Sequence, residues 1–141
     1  MKNETILLDT NAYSRLMQGD EFVIRSADEA KRIVLCSVVL GELESGFRGG
    51  TRYEENRRDL ADFCADSKVV KVYSTEKTAL LYGDLMDSLR KAGTKIPTND
   101  VWIGAYAKEM DVSILSFDHH MQALIPHGVR LLETEEASHG A

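Results

Sequence analysis

Apolar and polar positions along this chain fall into short β-type runs separated by stretches of helical periodicity. Ile6-Leu7-Leu8 is the first run, and it passes straight into Asp9-Thr10-Asn11. Ile33 to Ser37 is the second, apolar until its last residue, and Val69 to Tyr73 is the third. Ser113 to Phe117 and Val129 to Leu132 complete the set. Helices are predicted at Ala12–Met17, Glu21–Arg32, Val38–Phe47, Thr51–Asp66, Thr75 to about Lys91, Asp100–Met110 and His119–Leu124. Punctuation supports these boundaries. Gly19-Asp20 breaks the first helix pair, Gly49-Gly50 and Gly93 stop helices, and Pro126-His127-Gly128 reads as a turn. Ser37, Thr75, and Thr98 or Asn99 are the expected helix caps. Strands alternating with helices imply an α/β fold, with a mostly parallel, roughly five-stranded sheet covered by helices on both faces. Repeats and low-complexity segments are absent. A single domain over 1–133 and a short polar tail over 134–141 are expected.

Composition narrows the class. The chain has 141 residues, enough for one domain with its own core. Hydrophobic residues make up 43% and charged residues 28%, as in an ordinary globular protein. No apolar run approaches the roughly 20 residues that span a bilayer, so no membrane association is expected. Met1-Lys2-Asn3-Glu4 lacks the pattern of a signal peptide, so a cytoplasmic location is expected. Cys36 and Cys64 are the only cysteines and have no metal-type spacing, which reads as two reduced thiols. A net charge of −6 and a pI near 5.2 argue against binding nucleic acid through bulk charge. They leave room for a local acidic site beside a local basic patch.

Candidate chemistry follows from where the acids fall. In a parallel sheet the ligand crevice lies beyond the carboxyl ends of the strands. Asp9 follows the first strand, and Asp118 the fourth. Glu42 lies early in the helix after the second strand, and Asp100 starts the helix before the fourth. Any one of the chain's 23 acids, taken alone, is more often a cap or a surface group than a ligand. Four at one sheet edge repel one another unless a cation neutralises them. A carboxylate set without cysteine suits Mg²⁺, with Mn²⁺ as the other candidate. Such a site fits phosphodiester hydrolysis, in which metal lowers the pKa of a bound water and stabilises charge on phosphate. Glu44 is the rival of Glu42; two residues apart on a helix, they point in different directions.

These segments resemble the PIN-domain nucleases, and within them the toxin nucleases of the VapC type, over nearly the whole chain. Leu7-Leu8-Asp9-Thr10-Asn11 resembles the opening motif, and Ser37 to Gly46 the second, with Glu42 at its acidic position. Ile96 to Ala105 resembles the third, and Leu115-Ser116-Phe117-Asp118 the fourth. The resemblance implies a three-layer α/β/α sandwich, a homodimer, Mg²⁺- or Mn²⁺-dependent cleavage of RNA, and a cognate antitoxin protein that blocks the site. It also implies Asp9, Glu42, Asp100 and Asp118 as the catalytic, metal-holding acids. Thr10, Asn11 and Ser116 are then the groups that orient them. Two departures stand out. Gly104 replaces the usual Ala, and His119-His120-Met121 follows Asp118 where a charged residue, sometimes another acid, and then Phe are usual. His120 reads either as the replacement of an auxiliary acid, which puts a fifth carboxylate in doubt, or, like His119 and more readily beside a hard-metal site, as a surface or loop residue.

Other functions fit less well. A phosphoacceptor signalling domain needs an Asp ending its third strand and a Lys ending its fifth, but Ser74-Thr75-Glu76 and Glu133 stand there. A haloacid-type phosphatase needs an acid where Asn11 lies. A PIN nuclease without an antitoxin, or a non-catalytic binding module, remains an alternative. Arg48, Arg52, Arg57 and Arg58 form one basic group, and Arg90, Lys91 and Lys95 another; each reads as either a solvated face or a phosphate contact. Tyr13, Leu16, Met17, Phe22 and Val23 read as core, or as a groove for an antitoxin helix. Trp102 and Tyr106, four apart on one helical face, read as core or dimer contact.

Overall fold

The computed structural model describes residues 4–132, so the polar tail expected over 134–141 lies outside the described residues. Five parallel strands, β1 (Thr5–Leu8), β2 (Arg32–Cys36), β3 (Val69–Val72), β4 (Ser113–Leu115) and β5 (Arg130–Leu131), form one sheet in the order β3-β2-β1-β4-β5. Helices α1 (Thr10–Met17) and α2 (Glu21–Glu29) link β1 to β2, and α3 (Ser37–Gly49) and α4 (Tyr53–Cys64) link β2 to β3. α5 (Glu76–Lys91) and α6 (Thr98–Met110) carry the chain back to β4, and a 3-10 helix, His119–His127, leads to β5. Right-handed crossovers place α1–α4 on one face of the sheet and α5, α6 and the 3-10 helix on the other. This is the three-layer α/β/α sandwich.

The central strands carry the core because both of their faces are covered. Ile6, Leu7, Leu8, Ile33, Val34, Leu35, Ile114 and Leu115 are all buried. Each such side chain contributes roughly 1.5–3 kcal/mol on burial. The chain runs from β1 outward to β3, then returns to the opposite side of β1 to form β4. The strand order therefore reverses between β1 and β4, and a crevice opens there at the carboxyl ends. Leu8 pairs with Leu115 in register, so Asp9 and Ser116 leave the sheet side by side.

Several boundaries differ from the sequence expectation. α2 ends at Glu29 rather than Arg32, because Ala30 turns extended and the Arg32 N–H donates to Glu4 O at the start of β2. Ser37 is the first residue of α3, not its cap; its hydroxyl meets Tyr106 Oη at 2.7 Å. α6 starts at Thr98, with Pro97 at the cap position, which puts Asn99 and Asp100 in its first turn. The last helix runs past Leu124 and takes in Pro126, ending at Gly128 with φ +93°. Thr75 caps α5 as expected, in a reciprocal box with Thr78.

Candidate active site

Each of the four predicted acids is delivered by a different segment to the crevice between β1 and β4. A cavity of about 170 Å³ is lined by Asp9, Glu42, Asp100 and Asp118 together with Thr10, Asn11 and Ile103. Asp9 is 3% exposed and fully engaged: Oδ1 accepts the Ala12 N–H at 2.8 Å, capping α1, and Oδ2 accepts the Ser116 hydroxyl. Ser116 Oγ in turn accepts the Asp118 N–H at 3.0 Å. One serine thus ties the loop after β4 to the carboxylate after β1. Asp118 caps the 3-10 helix, with Oδ1 accepting the His120 N–H at 2.9 Å.

Glu42 is held from both sides. Thr10 Oγ1 donates to Oε1 at 2.5 Å, and Asn99 Nδ2 donates to Oε2 at 3.1 Å. Asn99 was expected only as a helix cap. Its place beside Asp100 was the available signal, since the first turn of α6 faces α3 across the crevice. Among the described residues, Asn11 lines the cavity but makes no hydrogen bond to a carboxylate. Glu44 points away from the site. It accepts from Arg48 Nε at 2.6 Å and Tyr53 Oη at 2.7 Å, and lies 3.3 Å from Arg57 Nη1. Its carboxyl is held below the ordinary range, first by the Tyr53 hydrogen bond and then by the arginines.

The electrostatics of the cavity favour a cation. Burial pushes the Asp9 carboxyl up, against the lowering effect of its hydrogen bonds from Ser116 and Ala12; the charges of Asp118 and Glu42 add to the rise. Asp100 is pushed up to about 6, by burial first and then by the charge of Asp118. Asp100 Oδ2 is buried without a hydrogen-bond partner. An all-oxygen carboxylate set that includes one unsatisfied buried oxygen fits a hard divalent ion, which relieves both repulsion and desolvation.

Surroundings divide between core and surface. Arg48, Arg52 and Arg57 pair with Glu44 or Glu55, and Arg90 and Lys91 pair with Asp87. Tyr13 and Val23 are core residues, whereas Met17 is 43% exposed and borders a cleft of about 470 Å³ between α1, α3 and α4, shared with Leu43, Phe47 and Arg52. Trp102 stacks on Tyr82 of α5 at 4.0 Å, and Tyr106 is buried, with its hydroxyl between Ser37 and Ser74. Both cysteines are unpaired. No helix among the described residues is long and apolar enough to cross a membrane.

Residues 6–124 match the PIN domain family, and the chain belongs to it. Ribonuclease VapC1 of Haemophilus influenzae (strain R2866) is 27% identical over 114 residues, covering 78% of this chain and 84% of that protein. The solved structure of VapBC-1 from nontypeable Haemophilus influenzae superposes with a TM-score of 0.79 at 23% identity, covering 92% of this chain and 97% of that one. DNA-bound VapBC from Salmonella typhimurium gives a TM-score of 0.79 at 22% identity, covering 91% and 96%.

Proposed function

We propose that this protein is a metal-dependent endoribonuclease toxin, held inactive by a cognate antitoxin protein. The observation that carries the reading is the convergence of Asp9, Glu42, Asp100 and Asp118 on one small cavity at the point where strand order reverses. A relative named as a ribonuclease and neighbours solved as VapBC complexes support the substrate class and the partner.

Asp9, Glu42, Asp100 and Asp118 would hold Mg²⁺ or Mn²⁺. When bound, such an ion polarises the scissile phosphate and lowers the pKa of a water at the site. The rest is done by the chain's own groups. Ser116 and the Ala12 N–H fix the Asp9 carboxylate, and Thr10 and Asn99 fix that of Glu42, so the acids are oriented before substrate arrives. Ile103 supplies an apolar part of the cavity's wall. The net charge of −6 places RNA recognition in local contacts rather than bulk attraction. The cleft between α1, α3 and α4 adjoins Glu42 and Thr10, so an antitoxin segment seated there would cover the site's entrance.

RNA cleavage by purified protein, in Mg²⁺, in Mn²⁺ and in EDTA, tests the reading. Cleavage is expected only with metal. It should fall by at least about 100-fold in Asp9→Asn and Asp100→Asn, the scale for loss of a preorganised charge at a reacting centre. Cleavage that survives both substitutions sinks the proposed site. A silent wild-type chain points to the non-catalytic alternative.

A further inference from the structure

His120 has no part in the carboxylate scheme, yet the fold brings its ring beside two of the four acids. Asp118 caps the 3-10 helix through the His120 backbone, and that tight turn folds the imidazole back over the capping carboxylate. His120 Nδ1 lies 2.9 Å from Asp118 Oδ1 and 3.9 Å from Asp100 Oδ2. The second of these oxygens is the buried one that has no hydrogen-bond partner, on a residue 8% exposed. The imidazole therefore stands between carboxylates supplied by α6 and by the loop after β4. Donors about 2.1 Å from an octahedral ion sit about 3.0 Å apart when adjacent and about 4.2 Å apart when opposite. The 2.9 Å distance to Asp118 matches adjacent donors, and the 3.9 Å distance to Asp100 lies nearer the opposite separation. His119 is placed differently. Its side chain is 87% exposed, its Nδ1 is 4.0 Å from Asp118 Oδ1, and its ring lies against that of His120 at 4.3 Å.

We infer that His120 is a nitrogen ligand of the cation held by Asp100 and Asp118, and that it biases the site from Mg²⁺ toward Mn²⁺ and similar transition ions. This inference rests on the carboxylates being a cation site. The selectivity has a chemical cause: imidazole binds first-row transition ions well, whereas Mg²⁺ keeps to oxygen donors and water. Coordination through Nδ1 uses the neutral ring whose single proton sits on Nε2, leaving the Nδ1 lone pair for the ion.

Electron paramagnetic resonance of Mn²⁺ bound to the full chain reads the ligand directly, without activity. Wild type and His119→Ala are expected to show ¹⁴N spin-echo modulation from a coordinated imidazole. His120→Ala and His120→Gln are expected to lose it. Mn²⁺ affinity should fall on the order of tenfold in His120→Ala. Mg²⁺ affinity, measured by competition, should change roughly twofold or less, as an oxygen-bound ion predicts. Bound Mn²⁺ without ¹⁴N modulation in the wild type overturns the inference and leaves the carboxylate site standing, whatever the variants do. An unchanged preference for Mn²⁺ over Mg²⁺ in His120→Ala overturns it as well. Failure of the wild type to bind Mn²⁺ at all overturns the cation site itself, and His120's part with it.

Discussion

Asp100 bears the clearest conflict of any single residue. It is 8% exposed, one of its oxygens is unsatisfied, and its carboxyl titrates near 6 instead of 3.8. Without metal, the folded chain holds this proton between pH 3.8 and about 6 while the unfolded chain releases it. Stability therefore falls as pH rises through that window, by up to about 3 kcal/mol for a shift of this size. Asp100→Asn has no such proton. In EDTA, its stability relative to wild type is expected to rise between about pH 4 and pH 6 and to level off above. Urea melts of both proteins across this range measure the difference. A flat difference would mean that Asp100 is not strained in the fold. Adding a divalent ion above pH 6 should stabilise the wild type more than the variant, which keeps only three of the four acids. Glu44, two residues from Glu42, shows the opposite logic: its charge is satisfied by Tyr53 and arginines, so it carries no comparable demand for a cation.

Helices α5 and α6 form the layer that brings Asn99 and Asp100 to the crevice, and their packing depends on small details. Thr75 and Thr78 close a capping box at the start of α5, and both hydroxyls also donate to Glu109 of α6. Thr75→Ala should therefore cost about 1 kcal/mol from the cap. Gly104 sits where α6 meets the 3-10 helix and α5. A Cβ there would come within 2.9 Å of Leu124 Cδ1 and 3.4 Å of Leu85 Cδ1. Leu124 and Leu85 are buried, so a branched side chain has no room. Gly104→Val is expected to destabilise by about 1–3 kcal/mol through overpacking, seen as a lower urea midpoint at unchanged slope. A midpoint equal to wild type would show that the contact relaxes freely.

At the scale of the whole molecule, the reversal of strand order gathers one site from segments nearly 110 residues apart in sequence, and the remaining exterior is open to partners. Leu80 on α5 and Tyr73 just after edge strand β3 are the most exposed large apolar residues among those described, at 69% and 61%. Burying Leu80 against a second chain would take its apolar surface out of water. Light scattering is expected to give twice the chain mass of 15.8 kDa, and Leu80→Glu to move it toward one chain. A monomeric wild type would remove the homodimer from this account.

Periodicity, caps and breakers determined most of the architecture. The five strands, the alternation with helices and the Thr75 cap follow from local rules, because a buried parallel strand must be apolar and a helix must open its ends. The convergence of the four acids was legible for a related reason: Asp9 and Asp118 follow strand ends, Asp100 lies in the first turn of α6 and Glu42 in the second turn of α3, positions that a parallel sheet collects at one edge. What the chain could not reveal alone is which polar partner each acid meets. Asn99 reached Glu42 while Asn11 lined the cavity without bonding a carboxylate, because the rotation of each helix decides where its first-turn amide points. His120 read as a surface residue or as the replacement of an auxiliary acid, and the Asp118 cap bends its ring toward two carboxylates. Side-chain direction at a turn depends on tertiary packing around it, and that is the level at which the site's second set of contacts was decided.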